Sequence, residues 1–419
     1  MMFAKQGGRR YPAWLMRAPV CLGLLSPAIG HAQTADVVTW WYEPQDKAAL
    51  ELIIRTFEAE GIQWQGTEIY ADVNAQTYVT ARIVAGDPPI AAQWIDGMSL
   101  RRMMSAKMLH PIQEPDWQPV LPPLVDKLLG VPGGYVGVPT GFRSRNWMWL
   151  NLASFKKAGI TLDAGWPRSW DDVHAAALQL RKAGITPFTI GGQSWEHLLT
   201  LEMVVAGIGG LDFYRHAMIE LDDAALASPT MVAAFAELKK LAGFAVIGTT
   251  ADSPNKPVAM LASGEAAMAI HGDWQKPLLE QAGLVLGRDF DCVPVPGTDN
   301  FSIVNVEMFV FPQNEADGAL EQQKLLADII MDPKIQRRLN QIRGLTPARL
   351  DVPAAAFDKC SRHLMENAHR PDGLTVGSVR SMPSSVIDLA GDVVVKFLAE
   401  GLTPEEGAAL FRRTISANR

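Results

Sequence analysis

The sequence predicts an α/β protein of two lobes, and three observations carry that expectation. A chain of 419 residues is well past the size at which one hydrophobic core usually stops growing, so two domains are expected. Short apolar strands alternate with amphipathic helices in the N-terminal third, the pattern of a mainly parallel sheet with helices on its faces. The third observation is the run YVGVPTGFRSRNWMWLN at 135–151. It begins as an apolar strand, passes through Arg143, Ser144, Arg145 and Asn146, and closes on the period-two alternation of Asn146, Trp147, Trp149 and Asn151. Desolvated charges need partners, so such a run does not suit a continuous buried core. It reads as a strand crossing between two lobes and facing a cleft.

Composition narrows the function classes. A formal net charge of −7 and the absence of a long basic run argue against a nucleic-acid partner. Twelve Trp in a chain with 20% charged residues indicate a folded, soluble protein. Residues 1–32 read as a cleaved signal peptide, with Lys5, Arg9, Arg10 and Arg17 ahead of an apolar run at 18–30 and small residues around Ala32. The run is too short to span a membrane, and no later stretch reaches 18 uninterrupted apolar residues. Arg9-Arg10 raises a twin-arginine route, weakened by Pro12, and Cys21 lacks the small preceding residue of a lipoprotein. Loss of the leader leaves Cys292 and Cys360, either a disulfide in an oxidising compartment or two separate buried thiols.

The elements follow in order. Residues 37–41 predict a first strand, and 46–60 a helix with Leu50, Ile53, Ile54 and Phe57 on one face and Asp46 as its cap. Residues 67–71 and 90–95 read as strands around a helix at 74–85, which stops at Gly86-Asp87-Pro88-Pro89. In a parallel sheet, ligands bind beyond the carboxyl ends of the strands. Those ends carry Trp40, Trp41, Glu43, Gln93 and Trp94. A helix at 98–107 and a Pro-rich segment lead to the crossing run. Helices are then expected at 151–158 and at 169–183, the latter opened by Ser169 with Asp172 three residues on. A strand at 185–190 precedes helices at 196–206, 213–218, 230–242 and 259–263 and a strand at 266–271. Extended segments at 292–296 and 303–311 follow, the second interrupted by Asn305 and Glu307 and therefore read as another crossing strand. Helices at 320–342 and 383–400 complete the reading.

Several motifs then resemble a known group. PRSWDDV at 167–173 and LRKAGITP at 180–187 resemble the signature of extracellular solute-binding proteins that serve carbohydrate ABC importers. VTWW at 38–41, AGDPPIAAQ at 85–93, NWMW at 146–149, GGQSW at 191–195, GGLDFY at 209–214, GDW at 272–274 and CVPVPGT at 292–298 look like the periplasmic glucose/mannose-binding branch. The resemblance covers nearly the whole mature chain. It implies the two-lobed periplasmic-binding-protein fold, each lobe a mainly parallel sheet flanked by helices, with lobes of residues 33–142 plus 303–347 and 143–302 plus 348–419. It also implies a carbohydrate ligand, membrane permease subunits as partners, a periplasmic location and a monomer.

A sugar offers a ring face that packs on aromatic planes and hydroxyls that need donors and acceptors. Trp40, Trp41 and Trp274 match the family's plates, and Glu43, Gln93, Asp273 and Asn305 its polar groups. Asn146, Trp147 and Trp195 are open between ligand contact and hinge or core packing, and Trp117, Trp166 and Trp170 read as packing. Ile95, Arg143, Arg343 and Arg380 depart from the family pattern. Since a guanidinium favours bidentate contact with carboxylate or phosphate, an acidic sugar is one expectation. Pairing of Arg143 and Arg380 with Asp or Glu across the cleft is the other. Glu43 and Asp273 could also be the paired carboxylates of an exported carbohydrate-active enzyme. The His residues are scattered without H-E-x-x-H or C-x-x-C spacing, G-x-S-x-G is absent, and residues 207–210 lack the G-x-G-x-x-G spacing. No cofactor or metal is therefore expected, and a chemotaxis role stays open.

Overall fold

The computed structural model describes residues 34–418 other than 114, 164 and 250, so the leader and Cys21 lie outside the described residues. Strands β1 (Thr34–Thr39), β2 (Gln63–Glu68) and β3 (Ala91–Ile95) are linked by helices Pro44–Glu58 and Asp72–Val84. Both helices turn an apolar stripe inward, Ile53 and Phe57 in the first and Ala75 and Val79 in the second. A small hairpin, β4 (Gly130–Val131) and β5 (Gly134–Tyr135), precedes the crossing run. That run is two strands, β6 (Gly137–Ser144) and β7 (Trp147–Asn151). Strands β8 (Thr186–Ile190), β9 (Ala245–Ile247), β10 (Ala266–His271) and β11 (Phe290–Pro294) follow, then β12 (Ser302–Val310) and β13 (Leu374–Val376).

The strands form two separate sheets. The first has the order β13-β12-β3-β1-β2, with β6 on the other side of β12, and the second has the order β11-β7-β10-β8-β9. Pairing is parallel where a helix carries the chain back, as in β1 with β2 and β10 with β8. It is antiparallel where β6, β7 and β12 enter, save for the parallel pairing of β12 with β13. The sheets are therefore mixed rather than mainly parallel, because a strand arriving from the other sheet needs no crossover helix. Each sheet has its own core, one containing Phe57, Val79, Phe142 and Phe309, the other Phe155, Leu180, Phe188 and Phe397.

The sequence expectations miss in identifiable places. The helix at 320–342 is two helices, Ala319–Met331 and Pro333–Arg343. Pro333 cannot continue a helix but opens one, and the Asp332 side chain caps its first turn. Asp46 does not cap the first helix, which starts at Pro44 with Glu43 in the capping position and no side-chain cap bond. Helices Lys359–Ala368 and Pro404–Asn418 and strand β13 went unread. β13 joins the first sheet beside β12, while helices Ser384–Ala399 and Pro404–Asn418 pack on the second core through Val394 and Phe411. The capping box at Ser169 and Asp172 forms as read. No helix among the described residues is long and apolar enough to cross a membrane.

Cys292 on β11 and Cys360 on helix Lys359–Ala368 are joined by a disulfide across 68 residues of sequence. Closing so long a loop removes entropy from the unfolded chain. Cys360→Ser is therefore expected to lower stability by about 3 kcal/mol in denaturant unfolding under non-reducing conditions.

Candidate functional site

The crossing strands are stitched together at one level. Ser144 and Asp273 exchange two bonds: the Ser144 amide donates to Asp273 Oδ2 at 2.7 Å, and the Asp273 amide donates to the Ser144 carbonyl at 2.9 Å. Asn146 accepts from the Ile303 amide at 3.0 Å and donates to Thr298 Oγ1 at 2.9 Å and the Phe301 carbonyl at 3.1 Å. Its amide group is thus spent on tying β7 to the start of β12. Arg145 is buried and donates through Nη2 to Glu202 at 2.7 Å, while Glu202 also accepts from Tyr214 Oη at 2.6 Å.

A second network lies beside it. Arg143 pairs with Glu307, its diagonal neighbour on the β6–β12 ladder. Arg343 donates through Nε to Asp46 at 2.7 Å, and its Nη2 lies 2.7 Å from Glu307 Oε2, in ion-pair contact but off the line of its N–H bonds. Gly141 allows this approach, because a Cβ there would fall 2.2 Å from Asn340 Oδ1 on helix Pro333–Arg343. The Arg343 guanidinium sits 4.1 Å over the Trp41 ring, and Phe309 meets that ring edge-on. Trp41 is fully buried. Burial alone would raise the Glu307 pKa, but the two guanidiniums hold it down at about 2. Arg143 and Arg343 therefore answer to the chain's own carboxylates, and Asp46 and Glu307 are partners that sequence reasoning did not assign.

What remains open to a ligand lies next to these networks. Trp195, Trp274 and His271 form an aromatic cluster, with Trp195 and Trp274 centroids 6.4 Å apart and both rings half-buried. Gly272 makes room for it, since a Cβ there would lie 2.0 Å from the Trp274 ring. Burial lowers the His271 pKa, so the cluster is neutral at neutral pH. Trp40 is half-buried on the other side, its amide donating to Gln93 Oε1 at 2.9 Å. Several buried polar atoms here have no hydrogen-bond partner among the described residues: Gln93 Nε2, Asp273 Oδ1, Asn305 Oδ1, Asp96 Oδ2 and Arg380 Nε. Buried polar atoms are normally paired, so unpaired ones near the crossing strands are candidates for an external hydroxyl or amide. Burial also raises the carboxyl pKa of Asp273 to about 7 and of Asp96 to about 6, the latter against the pull of Arg380.

The sequence-derived set thus divides. Trp40, Gln93, Trp195, Asp273, Trp274, Asn305 and Arg380 keep free surface or free polar atoms, and Trp41, Arg143, Asn146 and Arg343 are engaged by internal contacts, although Trp41 Nε1 and Arg343 Nη1 also lack a hydrogen-bond partner. Glu43 stands exposed at the start of the first helix. Ile95 is buried opposite Glu307 in the ladder. Arg380 lies 3.6 Å from Asp72. Asp96 was missed, although it follows the third strand end by one residue and its carboxylate accepts from the Val306 amide at 2.6 Å.

A family model described as bacterial extracellular solute-binding protein matches residues 32–317. A protein of Brucella suis named a probable sugar-binding periplasmic protein is 31% identical over 385 residues, covering 89% of this chain and 90% of that one. A protein of the same description from Rhizobium meliloti is 30% identical over 400 residues, covering 93% and 95%. A solved chitin oligosaccharide binding protein superposes with a TM-score of 0.74 at 18% identity, covering 93% of this chain and 99% of that one, a likeness of fold.

Two outcomes follow from the charge networks. Arg343→Ala leaves Asp46 and Glu307 short of a cation in a dry setting, and is expected to cost about 3 kcal/mol in denaturant unfolding. The folded-state pKa values of Asp273 and Asp96 lie above their ordinary 3.8, so the native state holds more protons than the unfolded one up to those values. Their contribution to stability falls as pH rises towards 7. Glu307, depressed from 4.5 to about 2, contributes stability that is present above its ordinary value and lost only as pH falls towards 2. His197, His271 and His363, with pKa values lowered by desolvation, act with the opposite sign below their ordinary 6.5. The test is therefore differential: between about pH 5 and about pH 8 the midpoint of Asp273→Asn should lack the part of the native chain's pH dependence that falls as pH rises.

Proposed function

The chain belongs to the bacterial extracellular solute-binding proteins, and on that premise we propose that it is the periplasmic substrate-binding component of an ABC importer. It captures a mono- or small oligosaccharide between its lobes and delivers it to a membrane permease. The lobes are residues 33–142 with 303–347 and residues 143–302 with 348–419, β13 being the last segment's contribution to the first sheet. Residues 1–32 are removed on export, and the mature chain works as a monomer. The observation that carries the reading is that the elements at the crossing strands carry both half-buried Trp rings and buried amide and carboxylate atoms without hydrogen-bond partners. Trp40, Trp195 and Trp274 take the ring faces of the sugar; Gln93, Asp273 and Asn305 take its hydroxyls. Trp41, Arg143, Asn146 and Arg343 hold the frame beneath, Arg380 closes one end, and Glu43 stands at the rim. The names of the Brucella and Rhizobium relatives support a sugar, and the motif likeness supports the glucose/mannose-binding branch.

Capture proceeds by closure. A ligand touching both lobes favours the closed state only by its differential affinity for that state. The reactive pair that a hydrolase would need is not favoured, since Glu43 is exposed while Asp273 is buried against the Ser144 amide. A second reading, an acidic sugar, rests on Arg380, whose Nε is buried without a hydrogen-bond partner, and on the equally unpaired Nη1 of Arg343.

A thermal-shift panel of neutral aldoses, disaccharides, polyols and sugar acids tests the reading, because bound ligand raises the midpoint by mass action. Shifts with neutral sugars are expected; shifts confined to acids would move the specificity to Arg380, and no carbohydrate shift would reject the proposal. For the sugar so identified, Trp274→Ala should weaken binding roughly tenfold or more with the fold intact by circular dichroism. Release of cleaved product from labelled oligosaccharides would overturn the binding role.

A further inference from the structure

A cavity of about 980 Å³ opens beside the polar cleft, between helices Asp72–Val84 and Met98–Ser105 and the start of helix Ser384–Ala399. Of the sequence-derived site residues, Arg380 is the one that lines it, together with Asp96. Val73, Thr77, Ala81 and Val84 recur at intervals of four, four and three residues and so present one helix face to it. Val73 is 63% and Val84 74% exposed, a largely apolar stripe that nothing among the described residues covers. Facing it are Met98, Met103, Met108 and Met382. Methionine is unbranched and polarizable, suited to holding apolar groups of varied shape. Trp94 lines the same space but is 1% exposed, with its Nε1 donating to Ser99 Oγ at 3.2 Å, so it is floor rather than a free plate. At the cleft end, Asp96 Oδ2 and Arg380 Nε are buried without hydrogen-bond partners, and Asp96 is bonded to Val306, the neighbour of Asn305.

We propose that this methionine-lined cavity is a second subsite that takes the apolar aglycone of a glycoside whose sugar ring occupies the polar cleft. The proposal rests on the sugar-binding reading above and narrows its ligand class. Gln76, Thr80, Ser99 and Arg102 also line the cavity, so a further sugar ring is the competing occupant, disfavoured because the larger, Met-, Val- and Ile-lined part of the wall cannot pair its hydroxyls. An aryl or alkyl group removes that apolar surface from water, and its glycosidic junction falls at the free polar atoms of Asp96 and Arg380.

The test compares a free sugar with its p-nitrophenyl glycoside by calorimetry on the mature chain, for the sugar identified by the panel. The glycoside is expected to bind on the order of tenfold more tightly. Ala81→Trp, which fills the cavity from an exposed helix position, should erase that gain while leaving the free sugar's affinity unchanged. Thr77→Trp on the same face gives a second chance should the first variant misfold. Equal affinities in the native chain, a gain that survives both fillings, or parallel loss of both ligands overturns the subsite while leaving sugar binding standing. Filled variants with native affinities for both ligands but no uptake would assign the cavity to a protein partner and likewise overturn it. If neither sugars nor glycosides bind, the functional reading itself has failed.

Discussion

Glu307 is a carboxylate with almost no exposed surface, set in the middle of a crossing strand between two guanidiniums. Removing such a charge from water is costly unless cations and hydrogen bonds replace the lost hydration. The solution draws in most of the site's frame. Arg143 comes from β6 and Arg343 from helix Pro333–Arg343, and Arg343 in turn reaches Asp46 on the first helix and covers Trp41. Four elements are thus linked in one network, three of them at Glu307 and the first helix through Arg343. Buried ion pairs are weak evidence for net stability, and the value of this one lies in register. Each Arg must sit where it does, or a charge is left alone in the core.

The same region separates polar groups that are finished from those that are not. Asn146 has its carbonyl and amide both engaged, and Arg145, Glu202 and Tyr214 close on one another. Gln93, Asp273 and Asn305 sit as deep but each keeps an atom unpaired. Identical side-chain chemistry therefore serves two purposes a few residues apart: the satisfied set holds the crossing strands rigid, and the unsatisfied set is complete only with an external partner. Aromatic rings divide in the same way, Trp41 being capped by a guanidinium while Trp274 is held open over a glycine.

Much of this was legible in the chain. The polar residues inside residues 135–151 and the interruption of β12 by Asn305 and Glu307 marked both crossing strands, because charges in a strand require partners wherever they lie. Aromatic and amide residues at strand ends marked the neighbourhood of the site. Reading 320–342 as one helix failed by giving apolar periodicity more weight than Pro333. β13 was unreadable because three residues carry too little pattern to distinguish a strand from a loop. The disulfide was one of two open alternatives, since sequence holds no distance between two cysteines.

By itself, then, the sequence determined the α/β class, the two crossings and the kinds of side chain at the cleft, all of which follow from local periodicity and from the cost of burying charge. Only the tertiary structure decided which of those side chains are free. Whether Arg143, Arg343 and Arg380 offer positive charge to a ligand depends on carboxylates that lie between 36 and 308 residues away in the chain. Electrostatic neutralisation acts through space over a few ångströms, and that proximity is written in the fold rather than in the order of residues.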